Sequence, residues 1–143
     1  KIAMPDMLLQ KSGRLIPHER ALLREHAELG AQILEACPFL HDLMPAVCHH
    51  HEYWDGNGYP DQLAHEDIPL AARIIAVAEA YDAMIHDRPY QASRSSEEAM
   101  QELWCCSGTQ FDPEVVRLFS LVLADQSKRE NAQERQTISA LTL

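Results

Sequence analysis

The stretch Pro69-Leu70-Ala71-Ala72-Arg73-Ile74-Ile75-Ala76-Val77-Ala78-Glu79-Ala80-Tyr81-Asp82-Ala83-Met84-Ile85 decides the fold class. It is too long for a buried strand, and after Pro69 nothing in it breaks a helix, so it predicts a helix. Apolar residues occupy nearly every side, which predicts a helix central to the molecule. Glu79 and Asp82 interrupt that apolar surface. An ionised carboxylate buried without a partner costs several kcal/mol, so one of the two needs a cation, a hydrogen-bond network or a metal. Arg73 and Arg88 are the cations within reach, and pairing with either is the structural alternative to a metal.

Working outward, the helical period recurs on both sides. From Pro17 to Cys37 the apolar or small positions fall as Leu22, His26, Leu29, Ile33 and as Leu23, Gly30, Leu34, Cys37, with Pro17 suited to a first helical position. A second helix is expected from about Pro38 or His41 to Trp54, with Leu43, Val47, His50 and Trp54 on one stripe. Residues 55–68 read as a loop from their glycines, their proline and an Asn-Gly pair. Two amphipathic helices follow, roughly Ser95–Ser107 and Pro113–Leu123, the latter with Asp112 and Pro113 as N-cap and first residue. Glycine totals only 5 and there is no long period-2 run, so the class is all-α. The organisation expected is one helical domain over residues 1–124 and a polar tail or helix extension over 125–143.

The composition narrows the function. The 143 residues carry a formal charge of -10, which disfavours a nucleic-acid polymer as partner. No window approaches 18 consecutive apolar residues and no basic-then-apolar leader is present, so neither a membrane span nor a secretory signal is expected. Cys37, Cys48, Cys105 and Cys106 show no C-x-x-C spacing and read as reduced thiols of a cytoplasmic protein. The start at Lys1, directly into Ile2-Ala3-Met4-Pro5, reads as the interior of a domain and hence as an N-terminal truncation.

Eight histidines exceed the usual share, and His49-His50-His51-Glu52 concentrates them. Successive helical residues project about 100° apart, so neighbouring imidazoles can reach two ions of one cluster. His50 and His51 flank the apolar stripe and are the candidate ligands, whereas His49 reads as a surface histidine. His26, on the apolar face of the first long helix, is by itself a core histidine. It becomes a candidate because two other elements also carry ligand-type side chains. Imidazoles and carboxylates without thiolates suit Fe, Mn or Zn.

His50-His51-Glu52-Tyr53-Trp54-Asp55-Gly56-Asn57-Gly58-Tyr59-Pro60 resembles the HHExxDGxGYP signature of the HD-GYP domains, a subgroup of the HD-superfamily metal-dependent phosphohydrolases. Lys1-Ile2-Ala3-Met4-Pro5-Asp6 resembles the end of the family's HDxGKxxxPD run, and His26-Ala27-Glu28-Leu29-Gly30 its HPxxG helix. Ile68 to Ala78, Asp87-Arg88-Pro89-Tyr90 and Gly108-Thr109-Gln110-Phe111-Asp112-Pro113 are similar to further family stretches, so the likeness covers residues 1–124. The family's HD pair would precede Lys1, and His41-Asp42 lies in the wrong order to replace it. Glu79 stands where the family usually has Asp, Gln62 where GYPxG has its last Gly, and Gln91 where a Lys commonly follows RPY.

The resemblance implies a helical bundle holding two or three divalent ions, iron or manganese first and zinc second. It also implies hydrolysis of cyclic di-GMP to pGpG or GMP in bacterial signalling. Carried over by position, His26, His50, His51 and Glu79 take metal-ligand places and Lys1 the place of a catalytic lysine. Arg88, Gln91, Gly58, Tyr59 and Pro60 take substrate-binding places. Lys1, Arg73 and Arg88 are the cations expected to offset the acidic field. The alternative is a catalytically degenerate module that meets other signalling proteins through the Gly58-Tyr59-Pro60 loop, and a third reading is a helical output domain that serves only to form a homodimer within a response regulator.

Overall fold

The structure, a computed structural model, describes residues 11, 13–86 and 93–141. Among the described residues five α-helices succeed one another: α1 (Pro17–Glu35), α2 (Met44–His49), α3 (Leu70–Ile85), α4 (Ser96–Cys105) and α5 (Pro113–Leu141), with 3₁₀ turns at Pro38–Leu43 and His65–Asp67. Among the described residues the only β-type pairing is a single bridge between Ser107 and Phe111, so the all-α expectation holds. None of these helices is long and apolar enough to cross a membrane.

Local chemistry starts the helices where the sequence places them. Glu19 reaches back to accept the Ile16 N–H at 2.9 Å, opening α1. At α4, Ser95 Oγ accepts from Glu98 N at 3.1 Å while the Glu98 carboxylate accepts from Ser95 N at 2.9 Å. Asp112 Oδ1 accepts from Glu114 N at 2.8 Å and so caps α5, with Pro113 first in the helix.

The core lies between α3, α4 and α5: Val77, Leu103, Phe111, Val115 and Val116 are buried together. A second contact joins α1 to α2 through small residues, with Ala27, Ala31 and Ala46 buried. Gly30 belongs to this contact, because a Cβ there would come within 2.9 Å of Val47 Cγ1. The missing side chain lets the two helices that carry the histidines approach closely.

One expectation needs correction. The second helix neither begins as an α-helix near Pro38 nor reaches Trp54: a 3₁₀ turn precedes Met44, and the α-helix ends at His49. Pro45 has no N–H to bond within a continuous helix through residue 41. At the other end, Trp54 N donates to Gln110 O (3.1 Å) and Asp55 N to Thr109 O (2.9 Å), the two donors a longer helix would have returned to itself. The central placement expected of α3 holds, since it packs against α2, α4 and α5, although one side of it is open. Leu70, Ile74 and Ile75 are 57%, 49% and 38% exposed, because α3 packs through its other side. Of the two readings of the C-terminal stretch, helix extension or tail, residues 125–141 take the first and continue α5.

Candidate functional site

Three elements bring His26, His50 and His51 together. His26 comes from the buried side of α1, His50 caps the end of α2, and His51 opens the following turn. One ring nitrogen of each lies within 4.8 Å of the others, and His26 Nε2 is 3.1 Å from His51 Nε2. His50 donates Nδ1–H to Val47 O at 2.6 Å, and His26 donates Nδ1–H to Leu23 O. Those bonds select the tautomer whose Nε2 carries the lone pair, as metal-binding imidazoles require. Glu79 approaches from α3, with Oε2 3.8 Å from His50 Nε2. Three imidazoles and one carboxylate, with no thiolate, form a donor set that fits a divalent transition metal.

Asp82, one turn beyond Glu79, faces elsewhere and pairs with His86 at 3.1 Å on the exposed surface. Neither carboxylate meets Arg73. That guanidinium is 2.7 Å from Asp112 Oδ2 and also donates to Ile68 O at 2.9 Å, so Arg73 is corrected from a cation of the site to a strut between α3 and α5. His49 is not simply a surface histidine: Nδ1 lies 2.8 Å from Pro45 O and Nε2 3.0 Å from Asp61 Oδ2. The His41-Asp42 pair sits on the exposed 3₁₀ turn, apart from the cluster in the order of the fold. Lys1, Arg88 and Gln91 lie outside the described residues.

The Gly58-Tyr59-Pro60 loop packs against the histidine segment. Tyr59 N donates to His51 O at 3.2 Å, and the Tyr59 ring stacks on His51 with centroids 4.9 Å apart. Asp61 N donates to Glu52 Oε1 at 2.7 Å, and Glu52 is only 3% exposed. Gly58 is required by contact, since a Cβ there would be 2.2 Å from Tyr53 N and 2.4 Å from Glu52 Cα. Burial pushes the Tyr59 phenol up to about 12, with Arg24 pulling the other way, so it stays protonated at neutral pH.

A cleft of about 230 Å³ opens beside the cluster, lined by His50, His51 and Glu79 and by Tyr53, Gln110 and the small side chains of α3. The residues that sequence reasoning missed are Arg24, Tyr53 and Gln110. Arg24 lies 4.8 Å from the centre of the Tyr59 ring, two residues before His26. Tyr53 and Gln110 occupy unspecified positions of the HHExxDGxGYP and GxxFDP patterns, so the patterns carry no signal for them.

Residues 1–115 match the family model described as HD domain. The chain is 37% identical over 139 residues to a cyclic di-GMP phosphodiesterase of Thermotoga maritima, covering 94% of this chain and 38% of that protein. It is 44% identical over 120 residues to a cyclic di-GMP phosphodiesterase of Pseudomonas aeruginosa, covering 83% of this chain and 29% of the other. A solved structure of a cyclic GMP-AMP specific phosphodiesterase of Vibrio cholerae superposes with a TM-score of 0.62 at 25% identity, over 83% of this chain and 31% of that one. The chain thus spans well under half the length of each of these relatives. With the histidine cluster in place and His50 to Pro60 carrying the HHExxDGxGYP signature, the chain belongs to the HD domain family, in its HD-GYP form.

Proposed function

We propose that this chain carries the metal-binding part of a phosphodiesterase that hydrolyses a cyclic dinucleotide, cyclic di-GMP first among them, with iron or manganese as the working ion. The observation that supports this most directly is the convergence of three imidazoles within 4.8 Å, with Glu79 Oε2 3.8 Å from His50. Glu79 is one methylene longer than Asp, yet its carboxylate still reaches the cleft. Relatives that act on cyclic di-GMP support the substrate class.

A divalent ion bound there supplies charge relief on the phosphate oxygens and a nucleophile at neutral pH. His26, His50, His51 and Glu79 would hold it. The backbone carbonyls of Leu23 and Val47 keep the His26 and His50 rings oriented, and Tyr59 holds the plane of His51 by stacking. The protein's charge of -10 opposes an anionic substrate, and Arg24 beside Tyr59 supplies positive charge near the cluster.

The test is hydrolysis of cyclic di-GMP by protein loaded with manganese or iron, beside His51→Ala and Glu79→Gln. Linear or mononucleotide product from the wild type, with at least a hundredfold loss in His51→Ala, supports the reading. No hydrolysis of any cyclic dinucleotide by metal-loaded wild type overturns it and favours a non-catalytic interaction module.

A further inference from the structure

We propose that Tyr53 and Gln110 form the walls of a nucleobase subsite beside the histidine cluster, a proposal that rests on the cyclic-dinucleotide reading above. The cleft holds about 230 Å³. Clefts that enclose a whole drug-sized ligand run to roughly 300–1,000 Å³, so this one fits a single nucleotide moiety with the rest of the ligand outside. Its lining includes His50, His51 and Glu79, where a phosphate belongs. Ala76, Ala80 and Ala83, from successive turns of α3, add only methyl groups to the lining.

Tyr53 and Gln110 bring to this space the two kinds of group a base needs. A base has a π face, which an aromatic ring can stack upon, and an edge of donors and acceptors, which an amide can pair with in either orientation. Among the described residues neither the Tyr53 hydroxyl nor the Gln110 amide has a hydrogen-bond partner. Their backbones, in contrast, are tied down. Tyr53 O accepts from Gly56 N at 2.8 Å, Gln110 N donates to Cys106 O at 3.0 Å, and Gln110 O accepts from Trp54 N at 3.1 Å. Fixed main chain with uncommitted side-chain groups is the arrangement of a pre-formed recognition site. The last of those bonds also ties residues 53–54 to residue 110, so the two walls keep their spacing.

The test separates the base from the phosphate. Metal-free protein is titrated with guanosine 5′-monophosphate and, separately, with ribose 5-phosphate, which lacks the base, and saturation transfer to the guanine H8 proton is recorded by NMR. Wild type is expected to transfer to H8. Tyr53→Ala and Gln110→Ala are expected to weaken nucleotide binding on the order of tenfold while leaving ribose 5-phosphate unchanged, and Tyr53→Phe to retain the stacking. In the manganese-loaded protein, Tyr53→Ala should raise KM for cyclic di-GMP with kcat within about twofold. Absence of transfer to H8 in wild type, or equal weakening of both ligands in the variants, overturns the subsite. If no diester is hydrolysed the phosphodiesterase reading falls, while the metal-free titration still decides the subsite.

Discussion

Two loop residues show how much one side chain matters near the cluster. Gly58 lies on the main chain of Glu52 and Tyr53, and backbone atoms cannot step aside for a methyl group at 2.2 Å. Gly58→Ala is therefore expected to destabilise the fold by roughly 1–3 kcal/mol, read from the urea midpoint. Gln62 is the opposite case. It holds φ at 57°, a left-handed conformation that a side chain resists by about 1–2 kcal/mol, at the place where the resembling pattern has glycine. Gln62→Gly should relieve that strain, less the roughly 0.5–1 kcal/mol of extra chain entropy that glycine loses on folding. A net gain of about 0.5 kcal/mol is expected in the same urea experiment, and a loss would show that position 62 is unstrained. At this scale the sequence was legible where the family pattern names a residue, as at His26, His50, His51 and Gly58. It was silent at Tyr53 and Gln110, whose place in the cleft depends on contacts between distant segments.

Among the elements, the joint between α3 and α5 rests on Asp112, whose Oδ1 caps α5 while Oδ2 takes the Arg73 guanidinium at 2.7 Å. Asp112 is 5% exposed, so removing its partner leaves a buried charge without compensation. Arg73→Met is expected to cost about 3–5 kcal/mol in chemical unfolding, and the double variant Arg73→Met with Asp112→Asn less, because Asn still caps a helix and carries no charge. If the double variant is as unstable as the single, the buried charge is not the cause. Gly30 sets the approach of α1 to α2. Gly30→Ala gains helix propensity but must displace Val47, so its melting temperature should change little. Competition with a chelating dye should nevertheless show about tenfold weaker metal binding, since His26 and His51 move apart. Periodicity revealed α1, α3, α4 and the start of α5 because their apolar stripes are local properties. It overran α2 because the donors that end it, Trp54 N and Asp55 N, bond to residues far along the chain.

For the molecule as a whole, the cluster draws on residues from 26 to 79, so metal binding and global stability are coupled. An ion at a hundred times its Kd adds about 2.7 kcal/mol to the native state, roughly 10 °C in melting temperature for a chain of this size. Manganese or iron should raise the melting temperature by that order, a chelator should reverse it, and His51→Ala should abolish the shift. Equal melting curves in all three conditions would remove the metal from the account. The bonds from Trp54 N and Asp55 N to Gln110 O and Thr109 O carry a different consequence, for hydrogen exchange. The segment from residue 55 has the glycine-rich composition of a fast-exchanging loop. Yet those two amides can meet deuterium only when the HHExxDGxGYP and GxxFDP turns part, which also opens the cleft. They should therefore exchange as slowly as the amides of α3, making Trp54 and Asp55 two sensitive reporters, inside a loop, of whether the site is closed.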